Sequence, residues 1–421
     1  MGIGAERRFE RYAESMVQAL GHADRAAPAR QYLRGLMLPG QRKSVEPMAA
    51  RVQPEGVRSA HQSMHHLVAE SEWSDSAVLA AVADKVAPVL TESGRAPCYW
   101  IIDDTGYRKY GKHSVGVARQ YCGQLGKVDN CQVAVSLSLA TETGSLPLSY
   151  RLYLPEEWAE DKARRERAGV PKQIAFATKG AIARTQIEAA LAAGIPRGTV
   201  LIDAGYGDEA ALRDWLSARE LVYAVGIRPT TAVWWDKHPP APAPVKPGRG
   251  RPRTRVVRDA THRPISVRDL AQSLPRSSYR TLTWRKGTNA QLRSRFARVR
   301  VRAAHANRPR QEEWLLIEWP KGEAEPTRYF LSTLPADTSF KALVATCSYV
   351  VRRASQALLF HIQAVPLDQQ CMSAVTLAEL LYGVRLSKRK KSNQEAIDAL
   401  TRHVAVLDWP RAATTPTFVR I

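Results

Sequence analysis

The stretch Tyr99-Trp-Ile-Ile-Asp-Asp-Thr-Gly-Tyr107 places two adjacent carboxylates directly after a run of apolar and aromatic residues. A run of this composition favours a buried β-strand. We expect the strand to end at Asp103 and Asp104 and the chain to turn at Gly106, which would hold both carboxylates at the edge of a sheet, open to solvent. Carboxylate oxygens held in this way are suitable ligands for Mg²⁺ or Mn²⁺.

A second stretch, Thr199-Val-Leu-Ile-Asp-Ala-Gly-Tyr-Gly207, follows the same order of apolar strand, aspartate and glycine, and a helical pattern comes after it. Two strands that end in aspartate suggest one shared metal site. The alternative is that Asp103, Asp104 and Asp203 are turn formers or helix N-caps. Successive strand residues point to opposite faces, so the sequence does not decide between Asp103 and Asp104. We predict Asp103 and Asp203 as the metal ligands.

The charge of the chain favours the functional interpretation. Among 421 residues there are 62 Lys and Arg against 40 Asp and Glu, a net charge of +22. An acidic site in so basic a chain suits chemistry on a polyanion such as nucleic acid, and general solubility is the alternative explanation. No apolar run reaches the roughly 20 residues of a membrane span, and the N-terminus lacks an apolar signal core. We therefore expect a cytoplasmic, nucleoid-associated protein.

Composition and periodicity predict a mixed α/β chain in five segments. They are an N-terminal helical module (1–95), a core with the aspartates (96–236), a basic Pro/Gly-rich linker (237–264), a β-rich insertion that returns to the core (265–346) and a helical tail (347–421). Residues 7–37 are predicted to form a helix. An antiparallel meander carrying the first aspartate, followed by α/β units carrying the second, is the order of an RNase-H-like nuclease core.

Two further stretches are candidates for contact with DNA. Arg249-Gly-Arg-Pro252 resembles the core of an AT-hook, in which Arg249 and Arg251 would lie along a narrow minor groove. A solvated basic linker is the alternative. The segment from Arg295 to Arg302 alternates arginine with apolar residues, which would place positive charges on one face of a sheet. That face could bind phosphates or be an ordinary polar face.

The chain resembles the DDE transposases of bacterial insertion sequences over about residues 7–346. The resemblance rests on Asp103-Asp-Thr-Gly-Tyr-Arg-Lys-Tyr-Gly-Lys-His113 and the residues up to Gln132, on Tyr153–Trp158, on Ala168–Pro171 and on Asp203–Gly207. It implies an RNase-H-like core in which two Asp and one Glu bind two divalent ions, Mg²⁺ or Mn²⁺, for attack on a phosphodiester. The first catalytic Asp falls on Asp103 or Asp104 and the second on Asp203.

The resemblance also implies partners and contact residues. The expected partner is double-stranded DNA, at the terminal inverted repeats of the element, and a homodimer is a candidate assembly. The charged and polar groups that closely follow the first Asp are candidate DNA contacts, with solvated loop charges as the alternative. These candidates are Lys109, Lys112, His113, Arg119 and Gln120.

The chain departs from this family after Leu343-Val-Ala-Thr346. The family continues into a helix that carries the third acid, whereas this chain reads Cys347-Ser-Tyr-Val-Val-Arg-Arg-Ala-Ser-Gln356, without Glu. From about residue 350 to 410 it resembles PIN-domain toxin ribonucleases, in which the counterpart of Glu379 binds metal. We expect an impaired transposase fused to a toxin fragment, with Glu379 as the remaining candidate for a third acid. The rival interpretations are a catalytically dead DNA-binding remnant and a PIN-type ribonuclease.

Overall fold

A computed structural model of the chain describes most of the first 350 residues. The described ranges are 3–39, 43–92, 98–235, 263–286, 291–305 and 310–349, with short pieces at 371–373, 394–395, 397–398, 401 and 405–407. The chain divides into two compact units, Met1–Val350 and Val351–Ile421. None of the helices in these ranges is long and apolar enough to cross a membrane.

The first unit begins with helices. They are α1 (Ile3–Ala19), α2 (Ala26–Met37), α3 (Val45–Val52), α4 (Val57–Ala69) and α5 (Asp75–Thr91). The single helix predicted over residues 7–37 is wrong, because the chain breaks between α1 and α2. Gly21 adopts a φ of 72°, in the left-handed region that favours glycine. His22 then caps a short 3-10 turn by accepting a hydrogen bond from the backbone N–H of Asp24.

A central sheet follows the helices. Its first six strands are β1 (Tyr99–Arg108), β2 (Ala118–Cys122), β3 (Lys127–Ala140), β4 (Ser145–Leu152), β5 (Thr199–Ile202) and β6 (Tyr223–Ile227). Strand β1 lies between β3, to which it is antiparallel, and β5, to which it is parallel. Strand β6 is parallel to β5. The order β2-β3-β1-β5-β6, with helices between the later strands, confirms the mixed α/β class.

Five helices connect these strands. They are α6 (Glu156–Glu160), α7 (Lys162–Arg167), α8 (Lys179–Ala192), α9 (Ala204–Gly207) and α10 (Ala210–Ala218). Helices α8 and α10 bury Ile187 and Leu212 in one apolar cluster with Ile102 of β1 and Ile202 of β5. The face of the sheet that carries Ile102 is therefore the one that α8 and α10 cover.

The chain then extends the same sheet. The added elements are β7 (Ala232–Trp235), β8 (Ile265–Ser266), α11 (Val267–Ser273), β9 (Arg280–Lys286), β10 (Gln291–Ala303), β11 (Glu313–Trp319) and β12 (Arg328–Ser332). Strand β12 pairs antiparallel with β6, which joins these strands to the core in one sheet. Residues 340–349 form a helix. The ring of Tyr349 on that helix lies 4.6 Å, centroid to centroid, from the ring of Tyr99 in β1.

Strand β1 does not end at the aspartates, so that part of the sequence-based expectation is wrong. It continues to Arg108 because β3, at 14 residues, offers pairing partners along its whole length. Gly106 makes no turn but allows close packing. A Cβ at this position would lie 2.7 Å from Cys122 Sγ and 3.2 Å from Cys122 Cα, so any larger residue would require Cys122 to shift.

In the second unit, the described residues include strands β13 (Cys371–Ser373) and β14 (Ala405–Leu407), which pair in parallel. The residues that carry the PIN-domain resemblance between these strands, Glu379 included, lie outside the described ranges.

Candidate functional site

The predicted aspartates lie on two adjacent parallel strands. Ile102 of β1 pairs with Ile202 of β5, and the last paired residue of β5 is followed directly by Asp203. Beyond that point β1 continues without β5 beside it, while Asp203 begins the turn into α9. Asp103 and Asp104 therefore lie just beyond the point where β5 ends. Asp203 lies next to that point, at the start of the turn into α9.

The carboxylate of Asp104 is held by two side chains from helices. It accepts hydrogen bonds from the ammonium group of Lys179 and from the hydroxyl of Tyr206. Lys179 is the first residue of α8, whose N-cap Thr178 accepts from the backbone N–H of Ala181. Strand alternation puts Asp104 on the same face as Ile102, which is the face that α8 covers.

Asp203 has a structural role as well as an electrostatic one. Its carboxylate accepts a hydrogen bond of 2.9 Å from the backbone N–H of Gly205 and thus caps α9. The helix-cap interpretation of this residue is therefore correct in part. Burial raises the pKa of Asp203, while the Gly205 bond and the charge of Lys179 lower it.

The electrostatics connect Asp104 to Asp203. Burial raises the pKa of Asp104, the hydrogen bond and charge of Lys179 lower it, and the negative charge of Asp203 raises it again. Lys179 lowers the pKa of both aspartates, through a hydrogen bond and its charge at Asp104 and through its charge at Asp203. We call Asp104, Asp203 and Lys179 the carboxylate–lysine cluster. Carboxylate oxygens are suitable ligands for a cation, but here the ammonium group of Lys179 is already bound to Asp104.

Asp103 lies on the opposite face of β1 from Asp104, as alternation requires. The residue is exposed. Its Oδ1 accepts a hydrogen bond of 2.8 Å from the backbone N–H of Asp104, and its carbonyl accepts one of 3.2 Å from Ser136 Oγ.

A complete site for two metal ions does not assemble in the part of the chain that the structure describes. There, no three His, Cys, Asp or Glu side chains come together to hold a metal ion. The helix over residues 340–349 contains no acid. Glu209, which follows α9, forms an ion pair with Arg184 at 3.3 Å. The described site thus offers two carboxylates, of which that of Asp104 is bound to the ammonium group of Lys179.

The predicted DNA contacts differ in how free they are to bind a ligand. Lys112, His113 and Arg119 are exposed, and Lys109 is half-buried. The amide of Gln120 donates to the carbonyl of Cys131 at 3.0 Å and to that of Gly116 at 3.4 Å, and thereby supports the β2–β3 hairpin. Arg249 and Arg251 lie outside the described residues.

The arginines of β10 do not all share a face, as alternation separates Arg295 from Arg298, Arg300 and Arg302. They also bind within the protein. Arg298 and Arg300 each lie 4.7 Å from the ring centroid of Trp314, and Arg300 pairs with Glu312 at 3.2 Å. Arg302 donates to the carbonyl of Arg310 at 2.9 Å. These contacts favour the interpretation as a structural sheet face.

Sequence reasoning assigned no role to Lys179, Tyr206 or Tyr153. The ammonium of Lys179 lies 5.5 Å from the centroid of the Tyr153 ring, which adds a cation–π contact to its bond with Asp104. Tyr153 and Tyr206 both stand in the short motifs that suggested a transposase. The sequence indicated Lys179 less strongly, since the only sign of its role was its position in the first turn of a helix after the N-cap Thr178.

Two comparisons with known proteins bear on this site. Residues 15–291 match the model of the DDE superfamily endonuclease family, which covers both strands with aspartates and helix α8. A probable transposase for the insertion sequence element IS701, from Microchaete diplosiphon, is 33% identical over 172 residues. That match covers 40% of this chain and 40% of the relative. The chain therefore spans well under half of the length of the relative.

Proposed function

This chain belongs to the DDE superfamily endonuclease family, and from that premise we propose that it is a transposase of an insertion sequence with impaired catalysis. Its substrate is double-stranded DNA at the ends of the element. The fold supports an RNase-H-like core, because β1, β5 and β6 are parallel and β3 is antiparallel to β1 in the order β3-β1-β5-β6. The observation that carries the proposal is the carboxylate–lysine cluster on β1, β5 and α8.

Asp104 and Asp203 are the acids assigned to the reaction. The support is that the charge of Asp203 raises the pKa of Asp104 and that Lys179 lowers the pKa of both carboxylates. This assignment differs from the sequence-based preference for Asp103, which stays a prediction. Asp103 lies on the opposite face of the strand and is exposed, so it is the matched control for Asp104 in any substitution experiment.

The donors present among the described residues support the proposed impairment. Cleavage by this family is expected to need two divalent ions, Mg²⁺ or Mn²⁺, held by three acids, because those ions stabilise the entering and leaving oxygens of an in-line displacement. The described residues supply two carboxylates, and an ammonium group already neutralises them in part. They suit one weakly held cation and do not fit the two-ion site, so we derive no cleavage step through it.

Binding to DNA is expected to persist when cleavage fails. The net charge of +22 and the exposed Lys112, His113 and Arg119 near the first acid support contacts to phosphates. A filter-binding titration of duplex DNA tests this, with and without the ends of the element. Retention should fall steeply as salt rises, since each phosphate contact releases counterions. No salt-dependent retention of any duplex would rule the proposal out.

The second candidate function is a DNA-binding remnant with no catalysis. It is favoured by the helix over residues 340–349. The family resemblance implies that the third acid follows closely after Leu343-Val-Ala-Thr346, but the residues of this helix are Phe-Lys-Ala-Leu-Val-Ala-Thr-Cys-Ser-Tyr, with no acid among them. Nicking of end-containing DNA by the purified chain with Mg²⁺ or Mn²⁺ separates the two candidates. Residues 347–421, with the PIN-like fragment, are proposed to add no active site.

A further inference from the structure

A second polar site lies between α10 and the extended part of the sheet. It is a cavity of about 280 Å³, whose lining includes Arg213, Asp214, His305, Arg310 and Glu313. A single water occupies about 30 Å³ in the liquid, so the cavity has room for a polyatomic ligand together with waters.

The cavity is separate from the carboxylate–lysine cluster. Tyr223, which also lines it, begins β6 and pairs with Val200 near the start of β5. Asp203 follows the last residue of β5. Because β5 and β6 are parallel, the cavity and Asp203 lie at opposite ends of these strands. A ligand in the cavity would not touch the acids of the proposed active site.

Two arginines that line this cavity each have a buried N–H group without an acceptor. Arg213 is 3% exposed, and it donates through Nη1 to the carbonyl of Gly207. Its Nε is buried without a hydrogen-bond partner in the described structure, and the same holds for the Nε of Arg310. A buried N–H without an acceptor is unfavourable, and a guanidinium is suited to bind an oxyanion through several N–H groups.

The carboxylates in the cavity are already engaged. Glu313 Oε2 accepts a hydrogen bond of 2.8 Å from the hydroxyl of Tyr223. Asp214 pairs with Arg310 and with Nε2 of His305. His305 is neutral and donates from Nε2 to Asp214, so its Nδ1 is an acceptor, and this atom has no partner among the described residues. The spare donors at the cavity are therefore those of Arg213 and Arg310, and its carboxylates have partners.

The charge of the cavity is compatible with an anion. Burial raises the pKa of Glu313, although Tyr223 and the nearby arginines oppose that shift. The negative charge of Glu313 is therefore disfavoured. Protonation of Glu313 would leave one carboxylate, Asp214, against two guanidinium groups.

We infer that this cavity binds a phosphate-class oxyanion through Arg213 and Arg310. The ligand is either a free phosphate or a phosphate group of a nucleic acid, since the two share the chemistry that the arginines recognise. The inference does not rest on the proposed transposase function, because no residue of the carboxylate–lysine cluster takes part.

The test is a calorimetric titration of the full-length protein with inorganic phosphate. Arg310→Gln should weaken binding at least tenfold, and Arg310→Lys should weaken it less, because it keeps the charge but loses the planar fork. Arg219→Gln is the matched control. Arg219 follows α10 and pairs with Glu188 at 2.7 Å, and it does not line the cavity. Arg213 is left intact because its bond to Gly207 also supports the fold.

Titration with a short single-stranded oligonucleotide, with and without a 5′-phosphate, distinguishes the sources of the ligand. A gain in affinity from the 5′-phosphate that Arg310→Gln removes would identify a nucleic-acid phosphate. Binding of inorganic phosphate alone would identify a free anion. No binding of either probe to the unmodified protein, or equal binding by Arg310→Gln, would overturn the inference, since an ion on any other basic surface would not depend on Arg310.

Discussion

Lys179, the first residue of α8, donates a hydrogen bond to the carboxylate of Asp104 in β1. The pairing places a positive charge beside the carboxylates that we propose as metal ligands, since Lys179 also lowers the pKa of Asp203. A cation that enters this site must therefore compete with a side chain of the protein itself.

The first prediction concerns that competition. Lys179→Met should tighten Mn²⁺ binding by roughly tenfold, or ~1.4 kcal/mol, because the carboxylates no longer have a resident counter-ion. The electron paramagnetic resonance signal of free Mn²⁺ measures the affinity directly. Arg184→Met is the control, as Arg184 lies on the same helix and pairs with Glu209. Equal or weaker Mn²⁺ binding in Lys179→Met would show that the lysine does not block the site.

The second prediction assigns the acids. Asp104→Asn and Asp203→Asn should each weaken Mn²⁺ binding by roughly tenfold or more, since each removes a charged ligand. Asparagine is as good an N-cap as aspartate, so Asp203→Asn keeps the cap on α9 and isolates the loss of charge. Asp103→Asn should have a small effect. If Asp103→Asn weakened binding and Asp104→Asn did not, the metal ligand would be Asp103.

Much of the fold could be predicted because local patterns determine it. The alternation from Asn130 to Ala140 lies within β3, and the glycine after α8 marks the end of that helix. The pairing of β12 with β6 could not be predicted, because Tyr329 and Ile227 are about 100 residues apart and nothing local links them. The continuation of β1 past Asp104 likewise depends on its partner β3.

The sequence pointed to the acids of the candidate site, whose role stays a prediction, but not to its other members. An apolar strand followed by aspartate indicates Asp203 and the adjacent Asp103 and Asp104 from local sequence, and the sequence-based preference was for Asp103. Lys179 and Tyr206 join them only because α8 and α9 cover one face of the sheet. The register of β1 against β3 decides whether Asp103 or Asp104 faces these helices. That register cannot be predicted from the residues near the two aspartates.

The third prediction tests the close packing at Gly106. Gly106→Ala should destabilise the protein by ~1–3 kcal/mol, because the new Cβ would lie 2.7 Å from Cys122 Sγ. Chemical denaturation measures the change in free energy of unfolding. Gly123→Ala in the adjacent hairpin is the control, as a Cβ there meets nothing within 4 Å. If both variants lost the same stability, packing against Cys122 would not explain the cost.

The fourth prediction concerns pH. Burial lowers the pKa of His305 to about 4 from 6.5, so the folded protein keeps this ring neutral. Between these values the unfolded chain binds a proton that the folded chain does not, so stability is full above 6.5 and falls as pH drops toward 4. The loss has an upper limit of ~3 kcal/mol, reduced by partial exposure of the ring.

Urea unfolding across that pH range, with unmodified protein and His305→Gln, checks the effect. The glutamine variant should lose less stability on acidification than the unmodified protein, because it has no ring to protonate. Parallel losses in the two proteins would mean that His305 does not contribute to the pH dependence.

We propose that this chain keeps the DNA-binding part of a transposase and that its described residues do not form a complete catalytic site. An in vitro cleavage assay with Mg²⁺ or Mn²⁺ on DNA that contains the ends of the element tests it most directly. The proteins to compare are the unmodified chain, Glu379→Gln and a chain whose residues from 347 onward are replaced by a family-like helix that carries a glutamate. We predict weak or absent cleavage by the first two and activity in the repaired chain. Full activity in the unmodified chain, lost in Glu379→Gln, would contradict the account.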